Sequence, residues 1–302
     1  MAITSFTQLI EAAKAKGPKK LAIAFSQEAA TILAARKAYD EGIAIPILMG
    51  DVEAIKAIAA EKGVSLDEFE LIQENNERLA CVRVVEMARN GEVDLIMNGL
   101  AQPGHLLRAA LDKEKGLRTA KLVTDVSIFE IPGRDKLLFI SDIGVVVSPT
   151  LEEKVSIVQN AIDVAHALGI ECPKVAILAA TEMVNPKIPV SMDAANLAKM
   201  AQRGQIRGGI VDGPLALDNA ISPRSAAIKG IRSEVAGDAD IIIAPDIEAG
   251  NILAKAITYF AKGKMAGVAV GARCPLVLPS RADPPETKFV SIALGVYLCD
   301  GI

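Results

Sequence analysis

VAGDADIIIAPDIEAGNILAK, residues 235–255, carries the pattern that decides the fold. The aliphatic run within 237–246 is typical of a buried strand, and residues 250–263 place apolar side chains at helical spacing. The strand passes into the helix through a polar junction that contains Asp246, Gly250 and Asn251. In open α/β sheets, ligands bind beyond the carboxyl ends of the strands, so this junction is a candidate binding site. The alternative is an ordinary helix N-cap.

The same alternation extends in both directions along the chain. Strands are predicted at 19–26, 43–50, near 93–97 and at 174–181, and helices at 27–42, 51–63, 148–169 and 286–302. This rhythm predicts an α/β protein with a mostly parallel, doubly wound sheet. Two strand-like segments within 122–149, around Pro132–Gly133, predict an antiparallel hairpin or a bulge within the sheet. The helix that follows, with a Ser148 or Thr150 cap, begins at a candidate domain boundary.

Composition excludes several classes of function. The chain has 302 residues, 51% of them hydrophobic but only 3% aromatic, so Ala, Val, Ile and Leu must build the core. The net charge is −4 and no block of Lys or Arg occurs, which disfavours binding to nucleic acid or to a membrane surface. No apolar stretch is long enough for a transmembrane helix. The first twenty residues predict an amphipathic helix, interrupted by acidic Glu11, rather than a signal peptide, and a cytoplasmic protein is expected.

Common catalytic fingerprints are missing from the sequence. The four cysteines are scattered and the two histidines, His105 and His166, are far apart, so no metal site is predicted. Neither a P-loop, nor a dinucleotide-binding glycine motif, nor the nucleophile elbow of hydrolases occurs.

Three further junctions carry polar or glycine-rich loops. Segment 97–111 contains Gly99, Gly104 and Arg108, and segment 210–223 contains Asp212 and Asp218. Segment 277–294, VLPSRADPPETKFVSIAL, places Ser280 and Arg281 where a strand gives way to a helix. Taken alone, each is explained by turn, cap or solvated residues. The alternative for Ser280 and Arg281 is an anion site, because a hydroxyl, a guanidinium and free helix N–H groups are all suited to phosphate.

Read in order, these segments resemble the phosphate acetyltransferase and phosphate butyryltransferase family over nearly the whole chain. The resemblance is carried by VDGPLALDNAI, by the block 235–255 and by the PSR at 279–281. The segment 116–142, with its FEIPG, is similar to the butyryl branch in particular.

The resemblance implies a two-domain α/β/α architecture with an interdomain cleft, here residues 1–148 plus 281–302 and residues 149–280. It implies reversible acyl transfer between coenzyme A and phosphate by direct thiolate attack, most simply with butanoyl-CoA, in a homodimer or higher homo-oligomer. Coenzyme A is a substrate, and neither a cofactor nor a metal is needed. Ser280 and Arg281 match the catalytic pair. Substrate contacts are expected from Arg108, Asp212, Asp246, Gly250 and Asn251.

The chain departs from the family pattern at several positions. Thr287 stands where the acetyl branch has the aspartate proposed as base for the thiol. Asn98, Gln102 and Asp125 replace residues that the family usually shows. Two alternatives therefore stay open beside a butyryl or acetyl transferase: a non-catalytic protein that binds acyl phosphate or coenzyme A, and an NAD-dependent, metal-assisted dehydrogenase.

Overall fold

The computed structural model describes residues 2–300 as a mixed α/β protein. Its described chain divides into two compact units. The terminal unit comprises residues 6–123 and 266–302, of which 301 and 302 are outside the described residues. The central unit comprises residues 124–265 together with 2–5.

The terminal unit is built on parallel strands. Its elements are α1 (Phe6–Ala15), β1 (Lys19–Ala24), α2 (Ala29–Asp40), β2 (Ala44–Gly50), α3 (Val52–Glu61), β3 (Glu70–Gln73), α4 (Glu77–Arg89), β4 (Leu95–Asn98), α5 (Pro103–Ala110), and, from the C-terminal part, β11 (Leu276–Val277) and α11 (Pro285–Leu298). The strand β10 (Lys264–Val270), most of which belongs to this unit, completes the order β3-β2-β1-β4-β11-β10. All neighbours in this order are parallel except β10 and β11.

The central unit contains the hairpin and eight further helices and strands. Its elements are β5 (Thr124–Glu130), β6 (Leu138–Ser141), α6 (Leu151–Ala167), β7 (Lys174–Leu178), α7 (Pro189–Gln202), β8 (Ile210–Leu215), α8 (Leu217–Ile221), α9 (Pro223–Ile228), β9 (Ile241–Ile243) and α10 (Ile247–Tyr259). The strand order is β5-β6-β9-β7-β8, and every pair is parallel except β5 with β6.

The predicted α/β class, the mostly parallel strands and the antiparallel hairpin are confirmed. The long helix α6 is confirmed as well. Thr150 accepts a hydrogen bond from the Glu153 N–H and forms a capping box with that residue, which explains where the helix begins. The predicted strand at 237–246 shortens to Ile241–Ile243, and α10 begins directly after Asp246.

The compact units differ from the predicted domains in three segments, residues 2–5, 124–148 and 266–280, of which the first belongs to the central unit. Residues 124–148 belong to the central unit, because Phe139 to Ser141 of β6 pair with Ile241 to Ile243 of β9. Residues 266–280 belong to the terminal unit, because β10 pairs with β11 and β11 continues in parallel onto β4.

The last helix, α11, is buried in the terminal unit. The apolar residues of α11 are almost all buried, because the helix packs against both α1 and α2 as well as against strands. A helix that is apolar on all sides is typical of a core position. Lys288 lies in its first turn and is nevertheless fully buried.

Candidate active site

The carboxyl ends of three parallel strands meet at one edge of the terminal unit. Ala24 of β1 pairs with Asn98 of β4, and Val277 of β11 pairs with Met97. The loops that follow these strands therefore emerge side by side, which is the usual position of a site in an open α/β sheet. Ser280 and Arg281 follow β11 at this edge.

The loop after β4 is tied to the loop after β1. The N–H of Gly99 donates to the Ala24 carbonyl at 2.9 Å, and a Cβ at Gly99 would lie 2.6 Å from the Phe25 carbonyl oxygen. The backbone therefore approaches closely at Gly99, whereas Gly104 has open space around it. Asn98 is buried, and its side-chain amide donates to the Ala101 carbonyl at 2.7 Å. This hydrogen bond stabilises the loop after β4.

Ser280 lies in a tight turn between β11 and α11. Its N–H donates to Asp283 Oδ2 at 2.9 Å, and its carbonyl accepts from the Asp283 N–H at 3.0 Å. Its Oγ accepts a weak bond from the Ala282 N–H at 3.4 Å, so the hydroxyl hydrogen remains available to a ligand. Asp283 is buried and fastens this turn, while the N-cap position of α11 is occupied by Pro284.

Arg281 is exposed and lies near the amino end of α4. Its positive charge contributes to the lowered pKa of Glu77, whose main causes are the Gln102 N–H and, after it, His105. His105 Nδ1 lies 2.9 Å from Glu77 Oε1, and Arg78 Nε donates to His105 Nε2 at 3.3 Å. These contacts place the N–H of the His105 ring on Nδ1, facing the carboxylate.

Arg108 lies in the last turn of α5 and is exposed. It lines a groove of about 390 Å³ between α4 and α5. The lining of the groove combines apolar side chains with two acidic ones, Glu86 and Asp112, and with four basic ones, Arg78, Arg89, Arg108 and Lys115. Arg108 lies in the terminal unit, which also contains Ser280, Arg281 and His105.

The remaining predicted contacts belong to the central unit. Asp246 caps α10 and accepts from the Ala249 N–H at 2.8 Å. Gly250 is required there, because a Cβ would lie 2.5 Å from the Asp142 carbonyl oxygen. The Asn251 amide donates to the Ile143 carbonyl at 3.3 Å. The structure therefore brings Gly250 and Asn251 together against the segment 142–143, while Asp246 caps the same helix.

Asp212 is not part of that group. It lies inside β8, where its Oδ1 accepts from the Gly213 N–H at 2.8 Å, and β7 separates it from β9. Asp218, its neighbour in the same predicted loop, belongs to α8 and pairs with Lys229 at 3.1 Å.

Sequence reasoning missed a pair of buried aspartates at the open end of the hairpin. Asp142 Oδ1 accepts from the N–H groups of Gly144 and Val145, and its Oδ2 accepts from the Asp125 N–H at 2.9 Å. Asp125 accepts from the Ser127 hydroxyl at 2.9 Å. Burial raises the pKa of both carboxyls, and the Asp142 charge raises that of Asp125 further. Backbone N–H groups stabilise the Asp142 carboxylate, so the pKa of Asp125 is the more strongly raised of the two. An aspartate near each strand end at the open side of a hairpin was the available signal.

Residues 2–300 lack two features, a metal-ligating cluster and a membrane-spanning helix. No group of three or more His, Cys, Asp or Glu side chains in that range is arranged to hold a metal ion. Nor does any helix within it have the length and apolar character needed to cross a membrane.

Comparisons with known proteins agree with one another. A family model described as phosphate acetyl/butaryl transferase matches residues 5–82 and 75–296. The chain is 47% identical over 296 residues to a phosphate butyryltransferase of Clostridium acetobutylicum, covering 98% of each protein. It is 48% identical over 290 residues to a phosphate acetyltransferase of Thermotoga maritima, covering 95% of this chain and 97% of that one. Its structure is similar to a branched-chain phosphotransacylase from Enterococcus faecalis, at 28% identity and a TM-score of 0.81, covering 94% of this chain and 100% of that one.

Proposed function

Since this chain belongs to the phosphate acetyl/butaryl transferase family, we propose that it catalyses the reversible transfer of a butyryl group between coenzyme A and inorganic phosphate. The observation that carries the proposal is the Ser280–Arg281 pair at the carboxyl edge of the terminal unit, in a turn fastened by hydrogen bonds. The resemblance inferred from the motifs is confirmed. Acetyl transfer is the second candidate, because relatives of both names are almost equally similar to the chain.

The reaction needs charge stabilisation more than covalent chemistry. The sulfur of the coenzyme A thiolate attacks the carbonyl carbon of the acyl phosphate, the carbonyl oxygen becomes an oxyanion, and the C–O bond to phosphate then breaks. The oxyanion requires hydrogen-bond donors, and the departing phosphate requires cations. In this proposal the Ser280 hydroxyl donates to a substrate oxygen, and Arg281 binds the phosphate with paired N–H groups.

Arg108 is the second cation that we assign to substrate. Together with its basic neighbours in the α4–α5 groove, it is suited to a phosphate group of coenzyme A. Contacts of Asp246, Gly250, Asn251 and Asp212 with substrate stay a prediction, since each of these residues has a local structural role that accounts for its identity at least in part.

One coupled assay tests the proposal. Purified protein is incubated with butyryl-CoA and phosphate, and the released thiol is followed with a thiol reagent; acetyl-CoA replaces butyryl-CoA in a parallel series. We expect thiol release that depends on phosphate and is faster with the butyryl substrate. Binding of butyryl-CoA without release would indicate the non-catalytic alternative. Turnover that requires NAD would indicate the dehydrogenase.

We also propose that the protein is a homodimer. Among the described residues of the central unit, seven large apolar side chains are more than half exposed: Val147, Met183, Val184, Ile228, Ile252, Tyr259 and Phe260. Ile252 and Tyr259 are seven residues apart on α10 and therefore share a face. Exposed apolar side chains in such number favour an interface. Light scattering on the purified protein measures the oligomeric state directly; a monomer at all concentrations would contradict the proposed homodimer.

The expected cytoplasmic location stays a prediction.

A further inference from the structure

Lys288 is a charged residue placed where charge is costly. Its side chain is fully buried in the first turn of α11. Its ammonium lies 2.9 Å from Glu28 Oε2 and 3.4 Å from the Ser280 carbonyl oxygen. Burying an ammonium carries a large desolvation penalty unless it is paired and hydrogen-bonded. The cost is thus offset by contacts that lead directly to the candidate catalytic serine.

Glu28 is itself held in place at the same edge. It directly precedes α2, its N–H donates to the Ser26 carbonyl at 2.7 Å, and its Oε2 also accepts from the Thr31 hydroxyl. Its side chain is 17% exposed. The ion pair therefore connects the turn after β1 with the first turn of α11, and the contact from Lys288 to the Ser280 carbonyl extends this connection to the turn after β11.

The Ser280 peptide is held at both of its ends. Asp283 accepts from its N–H, and Asp283 N–H and Lys288 donate to its carbonyl. Rotation of this residue would turn the Ser280 hydroxyl and the Arg281 guanidinium together. Ion pairs of this kind add little net stability compared with apolar packing, so a role in fixing geometry accounts better for their presence.

We propose that Glu28 and Lys288 are positioning residues that hold the Ser280–Arg281 turn in its reactive geometry. As far as turnover is concerned, this inference rests on the proposed acyltransferase function. Neither side chain contacts substrate in this scheme. The pair acts through the Ser280 backbone, and a misplacement of the reacting groups by about 1 Å is enough to cost roughly 100-fold in rate.

The test removes both charges together. Lys288→Met alone would leave an unpaired, largely buried carboxylate, so the variant of choice is Glu28→Gln/Lys288→Met. A matched control is Lys154→Met/Asp193→Asn, which removes a second largely buried lysine and its partner at 2.7 Å, in the central unit. We expect the first variant to melt cooperatively and to keep its KM for coenzyme A within about threefold, while kcat falls roughly 100-fold. The control should keep kcat.

A second measurement does not depend on activity. Arg281 and Ala282 are exposed, so trypsin can attack the bond between them once the turn opens. We expect native Glu28→Gln/Lys288→Met to be cleaved there at least tenfold faster than the wild type, with the new Ala282 terminus identified by mass spectrometry. The control variant should be cleaved at the wild-type rate.

The outcomes separate the two proposals. Wild-type kcat and a wild-type cleavage rate in the double variant would overturn the positioning role. If the wild-type protein transfers no acyl group, the proposed function fails, and the cleavage rate alone decides on the turn. If the double variant does not fold, Glu28→Gln decides, because its amide keeps an acceptor for Lys288 but removes the charge. A kcat and cleavage rate unchanged in that variant would then overturn the inference.

Discussion

Replacing Arg281 by alanine removes the guanidinium that follows Ser280 at the carboxyl end of β11. A charged contact to a departing phosphate stabilises a transition state by about 3 kcal/mol, which corresponds to a loss of roughly 150-fold in turnover. We expect kcat to fall by at least 100-fold. Arg281→Lys keeps the charge but not the paired N–H groups, so it should recover only part of the rate.

The structure predicts little effect of this change on folding. Arg281 is exposed, and Glu77, the carboxylate it influences, is held mainly by the Gln102 N–H and by His105. Exposed substitutions usually change the free energy of unfolding by less than about 0.5 kcal/mol. The melting temperature should therefore stay within about 2 °C of the wild type.

The assay is phosphate-dependent release of thiol from butyryl-CoA, at saturating concentrations of both substrates. Arg273→Ala is the matched control, because Arg273 is an exposed arginine of the same unit that precedes β11 instead of following it. Its kcat should equal that of the wild type. The assignment of Arg281 would be refuted if Arg281→Ala turned over at a rate close to that of Arg273→Ala.

Three further predictions concern proton and metal chemistry. EDTA should leave turnover unchanged, because arginines meet the phosphate charge in the proposed reaction; inhibition that Mg²⁺ or Zn²⁺ reverses would contradict this. Asp283→Asn, whose amide oxygen can still accept from the Ser280 N–H, and Glu286→Gln should each remain active, with turnover rising from pH 6.5 to 8.5; a flat profile together with one inactive, folded variant would reveal a dedicated carboxylate base. Asp125→Asn should gain in melting temperature relative to the wild type as the pH rises from 5 to 8. Because the pKa of Asp125 is raised in the folded state, its contribution to the free energy of unfolding is complete below about pH 4 and is lost as the pH rises through the pKa of the folded protein. Asparagine does not titrate, so the variant has no such loss. A difference in melting temperature that is constant with pH would contradict the raised pKa of Asp125.

Most helices and strands could be predicted from the sequence, because their patterns involve residues that are close together along the chain. Alternating apolar runs and capped helices identify β1, β2, β7 and α6, since a buried parallel strand and a capping box each leave a local signature. β3 escaped prediction because its four residues, Glu70–Gln73, have polar ends and none of them is buried. The short helices α8 and α9 escaped prediction because five or six residues are too few to show helical spacing.

Long-range pairing explains what the sequence could not reveal about the site. A lysine that follows two prolines and a glutamate is normally solvated, and its burial depends on Glu28, which is 260 positions away. Asp125 and Asp142 become partners only because β5 and β6 pair. The motifs did identify Ser280, Arg281 and Arg108, and their catalytic and binding roles stay a prediction for the experiments above.

The structure also bears on how the thiol is ionised without an aspartate at position 287. Three carboxylates at this edge are engaged: Asp283 by the Ser280 N–H, Glu28 by Lys288, and Glu77 by the Gln102 N–H and His105. Hydrogen bonds and cations that favour the ionised form make a carboxylate a weaker base, as the lowered pKa of Glu77 illustrates. The reaction would then draw on thiolate formed in solution. With a pKa near 8.5, a thiol is about 3% ionised at pH 7 and half ionised at pH 8.5, so turnover at subsaturating coenzyme A should rise by roughly 15-fold across that interval.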